Sequence, residues 1–150
     1  MNYCKANLLD LFSIEQMEKD CFPTEAFDRG LIKSLLVNPK SIIIKATTPS
    51  GKMIGNIIGS IKREKGKPLG RILSLCVLEE YRQKGIATHL IQLLEEEFYS
   101  RGVKIIRLEV SSRNEIAQRF YKRHGYGMTG IILYNYYRDG SDAFVMSKNL

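Results

Sequence analysis

Residues 71–110 constrain the fold more than any other part of this chain. "RILSLCVL" (71–78) is a short, mostly apolar run of the kind that fills the centre of a sheet. "EEYRQKGIATHL" (79–90) then gathers acids, bases, a tyrosine and one glycine at the start of a helix. That helix carries Ile86, Leu90, Leu93, Leu94 and Phe98 on one face, and Arg101-Gly102 ends it. "VKIIRLEV" (103–110) follows as an alternating strand, with Ile106, Leu108 and Val110 on one face and Arg107 and Glu109 on the other. Strand, helix, strand predicts a parallel, right-handed crossover, and with it a mixed α/β sheet.

The flanking segments extend that sheet. "LDLFSIEQMEKDCF" (9–22) and "EAFDRGLIKSLLVN" (25–38) show helical spacing, separated by Pro23 and ended by Asn38-Pro39. "SIIIKATT" (41–48), "MIGNIIGSIKRE" (53–64) and 71–78 read as a three-strand meander, and "YCKANL" (3–8) as a weak first strand. "NEIAQRFYKRHG" (114–125) is a helix with an Asn cap and a stripe of Ile116, Ala117, Phe120 and Tyr121. "MTGIILYNYYRD" (128–139) and "DAFVMSKN" (142–149) predict a closing hairpin around Asp139-Gly140. No repeat or linker divides the chain, so its 150 residues read as one domain, 1–150.

Composition narrows the class. Hydrophobic content of 44% and charged content of 26% suit a soluble globular protein, and no apolar run reaches membrane-spanning length. The first 20 residues lack a signal-peptide core, so the expected location is cytoplasmic. Cys4, Cys21 and Cys76 are sparse, odd in number and without CxxC spacing. They read as plain thiols, with no disulfide framework and no metal site. The net charge of +7 favours anionic partners. "KREKGKPLGR" (62–71) reads as a solvated turn, and the absence of interleaved aromatics there argues against nucleic acid.

The glycine before the helix suggests what the anion is for. A helix amino terminus exposes unpaired N–H groups and about half a positive charge. Gly85 lets a ligand approach the backbone, and Arg82 and Lys84 add charge. Neither GxGxxG nor GxxxxGK[ST] is present, so the usual nucleotide loops are excluded. The loop taken alone is equally a solvated connection.

"RQKGIA" (82–87) behind "ILSLCVLEEY" (72–81) resembles the pyrophosphate loop of the GNAT acetyltransferases, [Q/R]-x-x-G-x-[G/A]. "RLEVSSRNEIAQRFYKRHGY" (107–126) and "NYY" (135–137) resemble the Rim-type and archaeal and eukaryotic catalytic subunits of protein N-terminal acetyltransferases. The likeness runs from about residue 10 to the end. It implies the GNAT fold, with a mostly antiparallel central sheet splayed at the cofactor site and flanked by helices. It implies acetyl-CoA as cosubstrate, without metal. The backbone from Gln83 through Lys84, Gly85, Ile86 and Ala87 to Thr88 would wrap the pyrophosphate. Leu75, Cys76 and Val77 would pair with the pantetheine arm, and Asn114 would hydrogen-bond that arm or simply cap its helix.

Acetyl transfer to an amine needs a neutral amine and a proton for the leaving thiolate. With pKa values near 7.8 and 10.4, roughly 14% of an α-amine is neutral at pH 7, against roughly 0.04% of a lysine amine. The resemblance implies Glu109 as base, directly or through water, and Tyr121 as acid. The residues alone also allow a solvated strand carboxylate and a core tyrosine. Phe22, Pro23, Thr24, Glu25, Tyr136 and Tyr137 would line the substrate groove. Glu25 either meets the amine or starts a helix, and the two tyrosines either clamp peptide or pack in the hairpin. Cys76 needs no role beyond its backbone. The implied function is acetylation of protein N-termini, ribosomal proteins among the candidates. The alternatives are a lysine or small-amine acetyltransferase and a non-catalytic CoA- or nucleic-acid-binding module. No membrane partner is expected, and the sequence assigns no oligomeric state.

Overall fold

The computed structural model describes residues 1–150. Seven strands form one sheet in the order β1-β2-β3-β4-β5-β7-β6. They are β1 (Asn2–Lys5), β2 (Ser41–Thr47), β3 (Met53–Glu64), β4 (Lys67–Val77), β5 (Ile105–Ser111), β6 (Gly127–Leu133) and β7 (Ala143–Asn149). All neighbours are antiparallel except β4 and β5, the pair joined by the predicted crossover. Helices α1 (Leu11–Cys21) and α2 (Arg29–Val37) cover one face. Helix α3 (Ile86–Ser100) fills the other, with α4 (Glu115–Arg123) beside it.

Side-chain alternation builds the two layers. Ile42, Ile44, Ile57, Ile106 and Leu108 meet Leu90, Leu94 and Phe98 of α3. Ile43 and Ile58 face the other way and meet Ile14, Met17 and Ile32. Two glycines let α3 come close. A Cβ on Gly59 would lie 2.8 Å from Leu94 Cδ1 and 2.9 Å from Phe98 Cζ, and one on Gly70 would lie 3.0 Å from the Phe98 ring. Gly59→Ala is therefore expected to destabilise the fold by about 1–3 kcal/mol through overpacking, read as a lower urea midpoint.

The sequence reading is corrected at several places. Helix α2 begins at Arg29 rather than residue 25, because Asp28 caps it by accepting the Leu31 N–H at 2.8 Å. Strand β4 begins at Lys67, because the turn needs only Lys65 and Gly66, at φ 52° and 79°. The final hairpin does not turn tightly at Asp139-Gly140. Residues 134–142 form a loop, tied internally by Asn135 N–H to Asp142 Oδ1 at 2.8 Å and Tyr137 N–H to the Ser141 carbonyl at 3.1 Å. Tyr136 and Tyr137 thus ride on a loop. Ile116, placed on the apolar stripe of α4, is 76% exposed. Cys21 and Cys76 are not free thiols: they form a disulfide across 55 residues, because the end of α1 lies on β4, while Cys4 is free and exposed. No helix is long and apolar enough to cross a membrane.

Candidate active site

One extra residue opens the sheet. The β3–β4 register steps from Ile58 opposite Ser74 to Gly59 opposite Ile72, which leaves Leu73 bulged. Pairing between β4 and β5 ends at Ile72 and Leu108. Beyond that point β4 keeps only β3, and β5 keeps only β7. The backbone of Leu73–Val77 facing β5, including Leu75 and Cys76, therefore has no strand partner. Such a strand edge can take an extended, amide-bearing chain, and the pantetheine arm is one.

The loop after β4 carries a row of free backbone donors. Gln83 has φ 62°, and Gly85, which precedes α3, has φ 82° and ψ 5° with no side-chain cap. Within the chain, no backbone carbonyl accepts the N–H groups of Gln83, Lys84, Gly85, Ile86, Ala87 or Thr88, and the first helical bond runs from His89 to Gly85. Six consecutive donors are thus left for an external acceptor, and the residues present fit a pyrophosphate. Arg82 has a different first duty: its Nε donates to the Val77 carbonyl at 2.9 Å and braces the loop against the end of β4. Lys84 leans toward the Tyr81 ring at 5.5 Å.

Helix α4 is fastened to the start of α3 by a residue that the sequence did not single out. His124 lies 2.9 Å from the Phe120 carbonyl through Nδ1 and 3.1 Å from Thr88 Oγ1 through Nε2. A carbonyl only accepts, so Nδ1 carries the proton and a neutral ring accepts at Nε2 from the threonine hydroxyl. Asn114 caps α4 by accepting the Ala117 N–H at 3.0 Å, which leaves its amide NH₂ free for the cleft.

Glu109, Tyr121, Tyr136, Tyr137 and Glu25 come together at the splay. Burial raises the Tyr137 phenol far above its ordinary pKa, and Tyr136, Glu109, Glu25 and Tyr121 add to that through their charges. Burial likewise raises the Tyr136 phenol, helped by Glu109. The two rings meet edge to face at 4.9 Å. Glu109 is paired with Arg71 Nη2 at 3.4 Å across β4 and β5. The pair is part-buried, and Arg107 bonds Glu64 at 3.2 Å instead. Tyr121 packs edge to face on Phe120 and Tyr126, and burial alone pushes its phenol well above the usual range.

The α1–α2 loop closes the site from the other side. Glu25 neither starts α2 nor stands free: its carboxylate accepts the backbone N–H of Arg138 in the β6–β7 loop. The Arg138 guanidinium returns to the Thr24 carbonyl at 3.4 Å. Thr24 and Pro23 are exposed beside this bridge. Phe22 is half-buried and packs into the core beneath α1, so it supports the groove more than it lines it. A cavity of about 730 Å³ lies elsewhere, between α1, the β2–β3 turn and residues 78–82. Its lining includes Asp20, Lys52 and Glu79 but none of the residues gathered at the splay.

A profile of the acetyltransferase (GNAT) family matches residues 8–126. The chain belongs to that family. An uncharacterized N-acetyltransferase of Methanocaldococcus jannaschii is 33% identical over 140 residues, covering 93% of this chain and 85% of its own. The N-terminal acetyltransferase A complex catalytic subunit of Arabidopsis thaliana is 28% identical over 150 residues, 97% of this chain and 76% of that one. The crystal structure of the ribosomal-protein-S18-alanine N-acetyltransferase of Escherichia coli superposes with a TM-score of 0.86 at 22% identity, over 99% of this chain and 92% of that one, and so shares the fold. This acetyltransferase takes its acetyl group from acetyl-CoA.

Proposed function

We propose that this acetyltransferase, acting as one domain over residues 1–150, acetylates the α-amine of protein N-termini, ribosomal proteins among its substrates. The observation that carries this reading is the bridge from Glu25 to Arg138. It joins the α1–α2 loop to the β6–β7 loop over the splay, and a groove bridged on top takes a chain end more readily than a lysine in mid-chain. The similarity to an N-terminal acetyltransferase catalytic subunit supports the same substrate class.

The chemistry follows from the residues at the splay. Acetyl-CoA supplies an activated thioester. The unpartnered β4 backbone holds its arm in line, and the six free amides of residues 83–88 hold its phosphates. Glu109, steadied by Arg71, takes the proton of the incoming amine, directly or through water. Tyr121 protonates the departing sulfur. Burial favours its neutral form, so the proton is in place when the sulfur departs.

The test is CoA release with short peptides bearing free Ala, Ser, Met, Met-Leu or Met-Glu starts, beside N-blocked peptides that contain lysine. Acetylation is expected on free termini alone, located by mass spectrometry. Its kcat/KM should rise with pH and level off above about 8, following deprotonation of the α-amine. Turnover confined to blocked peptides, rising toward about pH 10 with the lysine amine, would replace this reading with lysine acetylation. Turnover on neither set would favour a binding module.

A further inference from the structure

Glu18 has no part in the chemistry above, yet it is the most completely buried acid in the chain, at 1% exposure. A buried carboxylate is costly without a partner. Here no cation approaches it. Its two oxygens accept from the Phe27 N–H at 3.1 Å and the Ser74 hydroxyl at 2.6 Å. Burial raises its pKa in spite of both donors. What this placement achieves is mechanical. Phe27 lies at the far end of the α1–α2 loop, and Ser74 is the first residue of β4 beyond the bulge.

A second link lies beside the first. Cys21 is three residues past Glu18 on α1, and its disulfide partner Cys76 is two residues past Ser74 on β4. Positions i and i+3 share a side of a helix, and i and i+2 share a face of a strand. The two links therefore run side by side from α1 to the stretch of β4 that no longer pairs with β5. Residues 22–27 leave from one link and return to the other. Between them Glu25 reaches across to Arg138.

We propose that Glu18 is a positioning residue for acetyl transfer, which fixes the substrate loop in register on the strand that holds the acetyl donor. The Cys21–Cys76 bond anchors the other end of the same loop. The inference rests on the N-terminal acetyltransferase reading for its peptide substrate. Protonation would not break the link, because a serine hydroxyl can turn from donor to acceptor. By the same reasoning, a glutamine can accept from Phe27 and donate to Ser74. Geometry rather than charge is what Glu18 supplies.

Glu18→Ala, Glu18→Gln and Ser74→Ala separate these roles. Glu18→Ala is expected to raise the peptide KM about tenfold or more, because a loop out of register loses contacts with the bound peptide, with acetyl-CoA affinity held within about twofold. Glu18→Gln should restore peptide KM to within about threefold of the parent, and Ser74→Ala should fall between. Amide hydrogen exchange gives a readout apart from activity: residues 22–28 should exchange faster in Glu18→Ala but not in Glu18→Gln. The proposal is overturned if Glu18→Ala leaves peptide KM and loop exchange unchanged. Equal losses from Ala and Gln overturn it too, because charge would then be the active property. If Glu18→Ala fails to fold, Ser74→Ala decides, and parental KM and exchange in that variant sink the idea. Should the parent acetylate no N-terminal peptide, the substrate reading falls, while the exchange comparison still decides what Glu18 does to the loop.

Discussion

Tyr121→Phe is expected to lower kcat by about 10²- to 10⁴-fold, the range that a positioned general acid supplies, while leaving the fold as stable as before. The pairing of those two outcomes comes from the contrast between neighbouring tyrosines. Tyr126 is 2% exposed and its hydroxyl donates to Glu95 at 2.7 Å, so that phenol is a structural group. Burial is the sole influence on the Tyr121 phenol, and no hydrogen bond within the protein acts on it. Removing an oxygen without a partner costs little stability. The acid form is also the right one. Burial disfavours the phenolate, so the proton is retained as pH rises past the ordinary tyrosine range, and kcat of the parent should show no alkaline loss below about pH 10. Steady-state kcat at saturating substrates, set beside urea midpoints, checks both halves. An unchanged kcat would return Tyr121 to the core-tyrosine reading.

Gly85→Val should weaken acetyl-CoA binding by about 10- to 100-fold, or about 1.4–2.8 kcal/mol, with little loss of fold stability if the loop relaxes. Space is not the issue, since a Cβ there would meet nothing within 4 Å. The constraint is φ 82°, a left-handed conformation that costs an L-residue roughly 1–2 kcal/mol and a β-branched one more. A valine relieves that strain by rotating the peptide units on either side, and the row of free amides loses its common aim. Gly85→Asn should lie between, because asparagine tolerates this region better. Calorimetric titration with acetyl-CoA measures the series. Parental affinity in Gly85→Val would remove the amides of residues 83–88 from the phosphate seat.

What could be read from the sequence was local. The β4–α3–β5 crossover, the glycine at the head of α3 and the Asn114 cap each depend on residues a few positions apart, where periodicity and capping rules operate. The roles expected of Glu109 and Tyr121 came from the resemblance. The links that shape the substrate side were out of reach because their partners are remote: Cys21 and Cys76 by 55 residues, Glu18 and Ser74 by 56, Glu25 and Arg138 by 113. Glu25 shows the difficulty well. An acid shortly before a helix is expected to favour the helix dipole, and nothing nearby indicates that Asp28 has already taken the cap. Tyr136 and Tyr137 were misplaced for a similar reason. The aromatic and β-branched run 128–137 suits a strand, but hydrogen bonds from the Asn135 and Tyr137 N–H groups to Asp142 and Ser141 pull its second half into a loop. Arg71 carried no local signal at all, since its role depends on the one parallel register in the sheet.

The bulge at Leu73 gives β4 a double character. It lies fourth of seven strands and is surrounded by core, yet from residue 73 onward one side of it behaves as a sheet margin. Sheet margins invite stray pairing, and proteins ordinarily hide or blunt them. Here the margin faces β5, which beyond Leu108 pairs only with β7, so it lies within the sheet and not at its outer edge. The protein has in effect moved an adhesive edge into its own interior.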